Sequence, residues 1–529
     1  MSQYANIESE YVQKVTIEHR KRFAQFFTPF AIAELMSNWL MGNNNIKTVL
    51  EPAFGLGIFS RILLSQKKDL SIKGFEIDNV IADEAIKHFG KCESLKLNLQ
   101  DYMYNDWENK YDGIICNPPY FKFHDYDNKS VIAEMERKLS CKLNGFTNLY
   151  TLFLLKSIYQ LKPNGRCAYI VPSEFMNSDY GKLVKAHLIK TKTLRHIIVF
   201  DFAKNVFDDA LTTACIILCA KDDNAPLVKF TNISSLDELT TIEKLINEYP
   251  IIDKAAKYYK LNELNPDIKW KTYYQIQSGN KFKALVPFSK YAKVVRGIAT
   301  GANDFFTFNK SKAIEFGISD KYLMPCICKC IDTKGHFFTA DDFKTLIKSD
   351  KKAYLLNAVQ DHDTNVSAYL HKGELEGIDK KYLTASRNPW YALEKRPPAP
   401  IWVSVFNRNG LRFVRNYANV ANLTTFHCVY PQQNLFSETS TDMLFAYLLT
   451  ETAQRIFNDN AREYGNGLQK FEPNDLNKGM MIDLDSMSLQ HKTAMTDYYN
   501  EYLKTYDKVW IEKIDALLIE DFGESDKTK

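Results

Sequence analysis

The chain has 529 residues, 25% charged and 45% hydrophobic, with a net charge of +4, so it is longer than one ordinary domain and too balanced to require or forbid an anionic partner. With 21 Gly and 17 Pro it is neither fibrous nor of low complexity. No apolar run approaches the roughly 18 residues of a membrane span, and the start MSQYANIESEYVQK lacks a signal-peptide core, so a cytoplasmic location with no membrane partner is expected.

In chain order, residues 1 to 40 read as a polar segment followed by a helix. Thr28 is placed as N-cap and Pro29 at the first helical position, with Ile32, Leu35, Met36 and Leu40 forming an apolar stripe. Seven apolar runs then alternate with helical stretches: Ile46–Leu50, Ile72–Ile77, Ser94–Leu97, Gly113–Cys116, Cys167–Val171, His196–Phe200 and Ala214–Cys219. This alternation predicts an α/β fold with a mostly parallel seven-stranded sheet in a first domain, residues 1–235. Cys167, Cys215 and Cys219 sit inside these runs, which suits reduced thiols.

The rest, 236–529, reads as a second domain of α+β type. Strands are expected at Ile401–Phe406 and Leu411–Val414, and helices over Thr441–Asn458 and His491–Phe522, with a turn at Gly465-Asn466-Gly467.

After the first strand comes Val49-Leu50-Glu51-Pro52-Ala53-Phe54-Gly55-Leu56-Gly57. Gly55 and Gly57 allow a sharp turn and close approach to a ligand. Glu76 ends the second strand, where an acid can accept both hydroxyls of a ribose. The third glycine of a dinucleotide loop is absent, and Glu51 would repel a pyrophosphate. A carboxylate there suits a cation, such as the sulfonium or ammonium end of S-adenosylmethionine; the plain alternative is a surface acid at a strand end. After the third strand, Asp101 stands where an acid can accept from an adenine amino group, and Tyr102 can lie beside that ring. The alternative for Asp101 is a loop acid capping a turn.

The fourth strand ends in Asn117-Pro118-Pro119-Tyr120. Two prolines restrict the backbone and leave carbonyls without intrachain donors. The Asn117 amide oxygen and the Pro118 carbonyl can together accept both hydrogens of a planar exocyclic amine, while Tyr120 offers a face for the attached ring. Such an amine is a poor nucleophile because its lone pair is delocalised into the ring. Holding both hydrogens favours a more tetrahedral nitrogen aimed at an electrophile, so positioning carries most of the chemistry.

At this point the chain resembles the gamma-class, TaqI-like DNA adenine-N6 methyltransferases of restriction-modification type. The order of elements is similar over about residues 25 to 220. The resemblance implies a Rossmann-like methyltransferase sheet followed by a target recognition domain, S-adenosylmethionine as cofactor, double-stranded DNA as partner and scope for a separately encoded cognate restriction endonuclease. It implies that Phe27, Thr28 and Pro29 line the methionine end of the cofactor, and that Glu51, Ala53 and Gly55 shape its pocket. Glu76 would hold the ribose, Ile77 would touch the adenine, Asp101 would bind its amino group with Tyr102 beside it, and Phe153 would pack on it. Asn117, Pro118, Pro119 and Tyr120 would hold the target adenine, and Phe207 would supply a second aromatic face; its alternative is a hydrophobic loop anchor.

Three later stretches resemble recognition-domain motifs: Arg296–Phe306, Trp390–Lys395 and Tyr464–Phe471. Structural turns explain them as well. Cys326-x-Cys328-x-Cys330 lacks the paired spacing of a tetrahedral site, so no metal is expected. His19-Arg20-Lys21-Arg22 reads as a solvated face, and the basic, aromatic segment from Phe121 to Asn148 as a flap over DNA or a surface helix. Rival readings keep the fold but change the acceptor to cytosine N4, an RNA base or a protein glutamine amide, or make the chain a noncatalytic DNA-binding subunit.

Overall fold

The protein, described here by a computed structural model, is defined over residues 5–121, 129–140, 142–143, 148–178, 180–200, 214–253, 256–275, 278–358, 362–408, 410–432, 439–464 and 468–523. Two compact units divide it: Met1–Ile276 with Arg462–Gly467, and Gln277–Ala461 with Leu468–Lys529.

The first unit opens with helices α1 (Ala5–Lys14), α2 (Ile17–Arg22) and α3 (Phe30–Met41). The alternation then runs β1 (Thr48–Glu51), α4 (Ile58–Gln66), β2 (Ser71–Glu76), α5 (Asn79–Phe89), β3 (Leu95–Leu99), β4 (Tyr111–Cys116), α6 (Lys129–Leu139), α7 (Leu149–Gln160), β5 (Leu161–Pro172), α8 (Gly181–Thr191), β6 (Leu194–Phe200) and β7 (Ala214–Ala220). All seven expected strands are present, in a mostly parallel, Rossmann-like sheet. The sheet, however, has nine strands, in the order β3-β2-β1-β4-β5-β7-β6-β8-β9, with β8 at Leu227–Ile233 and β9 at Tyr259–Lys260.

Strand β7 runs antiparallel between β5 and β6, and β9 runs antiparallel to β8; the other pairings are parallel. Every residue of β6 and β7 is buried, which is why β7 reads as a continuous apolar run instead of an alternating one. Helices cover both faces. Ile32, Met36 and Leu40 of α3 pack on one face, and Leu152, Leu155 and Ile158 of α7 on the other.

The expected boundary at 235 falls inside this first unit. Strand β8 pairs with β6 from His196↔Lys229 onward, and the fully buried Trp270 meets Phe230 edge-on at 5.6 Å. The polar stretch after β7 is thus a connection within one core, and composition alone cannot distinguish that from a linker.

The second unit contains a five-stranded sheet in the order Ala292–Arg296, Phe426–Pro431, Ile401–Ser404, Phe413–Asn416, Phe337–Phe338. Its expected long helices are broken. The first becomes Thr441–Leu448 and Glu451–Asn458, because Thr450 caps a new start by accepting from the Ala453 amide. The second becomes Leu489–Thr505 and Val509–Phe522, parted at Tyr506 with φ 53°. The strand carrying Cys326 ends at Ile327, so Cys330 lies in a separate turn and the three thiols do not share one strand face. Among the described residues no helix is long and apolar enough to cross a membrane.

Candidate active site

Between β1 and β4 the strand order reverses direction across the sheet, and a crevice opens there at the strands' carboxyl ends. The cavity at this point is lined by Phe27 and Thr28 before α3, and by Glu51, Ala53 and Gly55 after β1. Glu76 and Ile77 line it after β2, Asp101 and Tyr102 after β3, Asn117 and Pro119 after β4, and Phe153 from α7. Residues spread over more than a hundred positions meet because most of them end or follow a strand of one sheet, and α3 and α7 pack on its two faces. Pro29 stands just outside, as the cap residue of α3. Pro118 is buried beside the cavity.

The glycine loop turns through left-handed backbone at Gly55 (φ 54°) and Gly57 (φ 70°). The Gly55 amide donates to Glu76 Oε2 at 2.9 Å, and the Ile77 and Asp78 amides donate to Oε1 at 2.9 and 3.0 Å. Burial nevertheless raises the Glu76 pKa, outweighing those three donors. Glu51 is not a surface acid: it is 1% exposed. Its Oε2 accepts from the Ser60 amide at 3.1 Å and from the Ser60 hydroxyl, while Oε1 has no hydrogen-bond partner among the described residues. Burial pushes its pKa up to about 8.

Asp101 does cap a turn, its Oδ1 accepting from the Met103 amide at 2.8 Å, and it lines the cavity as well. Tyr102 is buried, with its ring 5.1 Å from Phe153 and 5.7 Å from Phe75. Its hydroxyl donates to Gln160 Oε1 at 2.5 Å. One polar face of α7 therefore secures the turn. Sequence reasoning missed its key member, Lys156, which is fully buried and donates to the Tyr102 and Asn105 carbonyls. Desolvation brings the Lys156 pKa down to about 7, against the opposing pull of Asp106 and Asp101. The available signal was a lysine inside the apolar run LYTLFLLKSIYQ.

Asn117 Nδ2 donates to the Phe26 carbonyl at 2.8 Å and to Thr28 Oγ1 at 3.0 Å. A backbone carbonyl only accepts, so this contact settles which end of the amide is nitrogen and leaves Oδ1 as the acceptor on the other side. Thr28 is therefore not an N-cap. Helix α3 begins one residue later than expected, at Phe30, and the Thr28 hydroxyl meets Asn117 instead of the helix end. The Tyr120 ring lies parallel to Phe26 at 5.9 Å and edge-on to Tyr150 at 6.2 Å, and its hydroxyl donates to the Ile170 carbonyl at 3.3 Å. Phe26, adjacent to the triplet read from sequence, was also missed.

Phe207 lies outside the described residues, as do 122–128 and 144–147 of the expected flap and the turn at Gly465–Gly467. Helix α6, within that flap segment, buries Val131 and Met135. The basic run in α2 is not simply a solvated face: Arg20 is buried and His19 meets Asp78 Oδ2 at 2.8 Å. In the second unit, Phe305 packs 5.7 Å from Trp390, so two of the three motif segments touch each other.

The chain matches the family described as "Eco57I restriction-modification methylase" over residues 36–207, and "Type II methyltransferase M.Eco57I, C-terminal domain" over residues 266–517. It is similar to Type II methyltransferase M.AccI of Acinetobacter calcoaceticus, with 61% identity over 525 residues, 98% of this chain and 97% of the relative. Type II methyltransferase M.XamI of Xanthomonas campestris pv. amaranthicola is 23% identical over 480 residues, 88% of this chain and 86% of the relative. Among solved structures, a nuclease-deletion mutant of the Type ISP restriction-modification enzyme LlaGI in complex with a DNA substrate mimic aligns with a TM-score of 0.53 at 12% identity, over 95% of this chain and 58% of that one. A Rossmann-like sheet with its crevice at the strand reversal, two family matches and 61% identity to a Type II methyltransferase over 98% of the chain agree: the chain belongs to the Eco57I-type restriction-modification DNA methyltransferases.

Proposed function

We propose that this protein moves a methyl group from S-adenosylmethionine to N6 of an adenine swung out of duplex DNA at a specific site. In this reading the first unit is catalytic and the second reads DNA, and a separately encoded restriction endonuclease is the cognate partner. The observation that carries the reading is the Asn117 amide. Its nitrogen is spent on Phe26 and Thr28, so its oxygen is the end offered to a substrate amine beside the Pro118 carbonyl.

The cavity residues fit the cofactor. Glu51 has a buried oxygen without a partner in the cavity wall, suited to a cationic group. Glu76, held by three backbone amides, would accept the ribose hydroxyls. Asp101 would take the adenine amino group, with Ile77, Tyr102 and Phe153 against the ring. Phe27, Thr28, Ala53 and Gly55 would close around the methionine end. When bound, S-adenosylmethionine supplies an electrophilic methyl on a sulfonium.

Asn117 Oδ1 and the Pro118 carbonyl each accept one amino hydrogen of the target and turn its nitrogen lone pair out of the ring plane. Tyr120 offers its face to the base, and Phe207 the opposite one. No strong base is needed, because the nitrogen becomes acidic once alkylated and sheds its proton.

Asn117→Ala is expected to leave cofactor binding within about twofold and to lower tritiated-methyl transfer by at least ~100-fold. Nucleoside mass spectrometry of DNA treated with the wild-type protein is expected to show N6-methyladenine. N4-methylcytosine in its place, or full activity of the variant, would overturn the reading.

A further inference from the structure

Helices α1 and α2 have no part in the chemistry above, yet they pack against the glycine-loop side of the cavity. Tyr11 is buried with Leu56 and Ile81 and meets Phe27 edge-on at 5.8 Å. Its hydroxyl donates to Gln25 Oε1 at 3.2 Å, and Gln25 Nε2 donates to Asp78 Oδ2 at 2.6 Å. One turn before Tyr11, Glu8 lines the cavity and forms an ion pair with Arg61. The two side chains are 14% and 8% exposed, so the pair is largely removed from water.

Arg61 follows Ser60 in α4, and Ser60 is the residue that holds Glu51 Oε2. Consecutive residues of one helix thus serve Glu51 and Glu8. Arg61 lies close enough for its charge to act on Glu51, whose other oxygen has no partner among the described residues. A guanidinium this buried demands a carboxylate. Without Glu8, the open oxygen of Glu51 is a carboxylate on which the Arg61 charge already acts.

We propose that Glu8 is a positioning residue: by holding Arg61, it keeps the open oxygen of Glu51 available to the cationic amino-acid end of S-adenosylmethionine. The inference rests on reading this cavity as the cofactor site. It assigns α1 a task in ligand selection, because Glu8 keeps a resident cation from occupying the carboxylate that an incoming cation needs. Conversely, a ligand lacking the cationic end gains nothing from Glu8.

Calorimetry on the full chain tests this with two probes, S-adenosylmethionine and adenosine. Glu8→Gln is expected to weaken S-adenosylmethionine binding about tenfold or more and to leave adenosine binding within about twofold. Glu8→Asp should retain most of the affinity. The double variant Glu8→Gln, Arg61→Met removes the competing cation together with its partner, and should recover S-adenosylmethionine affinity to within about threefold of wild type. The proposal is overturned if Glu8→Gln binds S-adenosylmethionine normally, if it loses both probes equally, or if the double variant shows no recovery. A wild-type chain that bound neither probe would overturn the reading of the cavity itself, and this proposal with it.

Discussion

Asn117 Nδ2 donates to Thr28 Oγ1 at 3.0 Å, tying the end of β4 to the start of α3 across 89 positions of chain. With the Phe26 carbonyl it forms a two-point anchor that orients the amide.

Thr28→Val keeps the side-chain shape and deletes the hydroxyl. One of the two anchors is lost, at a cost of ~1 kcal/mol, so turnover is expected to fall about fivefold. Steady-state methyl transfer checks this; unchanged turnover would mean that the Phe26 carbonyl suffices alone.

Glu51 gives the ligand-free protein a definite pH dependence. Its folded-state pKa of about 8 lies above the ordinary 4.5, so the folded protein keeps a proton that the unfolded chain releases between those values. Stability therefore falls as pH rises through that window, by at most ~1.4 kcal/mol per pH unit. Glu51→Gln should remove this part of the slope. Urea midpoints of both proteins from about pH 5 to 8 make the comparison, and parallel curves would contradict it.

The two loop glycines should differ in tolerance. A Cβ at Gly55 would meet only Ile81, at 3.9 Å, whereas one at Gly57 would lie 2.5 Å from the Phe54 ring and 2.7 Å from Phe89. Both carry positive φ. Gly55→Ala is expected to cost ~1–2 kcal/mol from the backbone alone, and Gly57→Ala ~3 kcal/mol or more once the clash is added. Equal losses in chemical denaturation would refute the steric part.

Lys156→Met fills similar space but leaves the Tyr102 and Asn105 carbonyls without their donor. Two unsatisfied buried acceptors predict a loss of ~2–4 kcal/mol. The loosened turn carries Asp101 and Tyr102, so adenosine affinity should fall as well. A neutral amine still has two hydrogens for two carbonyls, so wild-type adenosine binding, which does not engage Glu51, should be insensitive to pH near the Lys156 pKa of about 7. Calorimetry across that range reads it.

Much of the architecture was legible from local patterns. Ala214–Cys219 reads as a strand because apolar residues there are continuous, and Gly55, Gly57 and Asn117–Tyr120 read as turns because their backbone preferences act within a few residues. The cavity wall was partly legible for the same reason, since each acid stands at a strand end. Thr28 misled: a threonine before a proline suits a helix cap, and only the approach of Asn117 redirects its hydroxyl.

By itself the sequence determined the seven strands of the alternating region, and the order in which the strand ends carry Glu51, Glu76, Asp101 and Asn117, because these follow from periodicity and backbone restriction close along the chain. Only the tertiary structure decided what each of them touches. The two added strands β8 and β9, the orientation of the Asn117 amide, the buried Lys156 and the Glu8–Arg61 pair all depend on groups brought together from distant positions. Hydrophobic pattern records that a face is covered, and the identity of the covering group leaves no local trace.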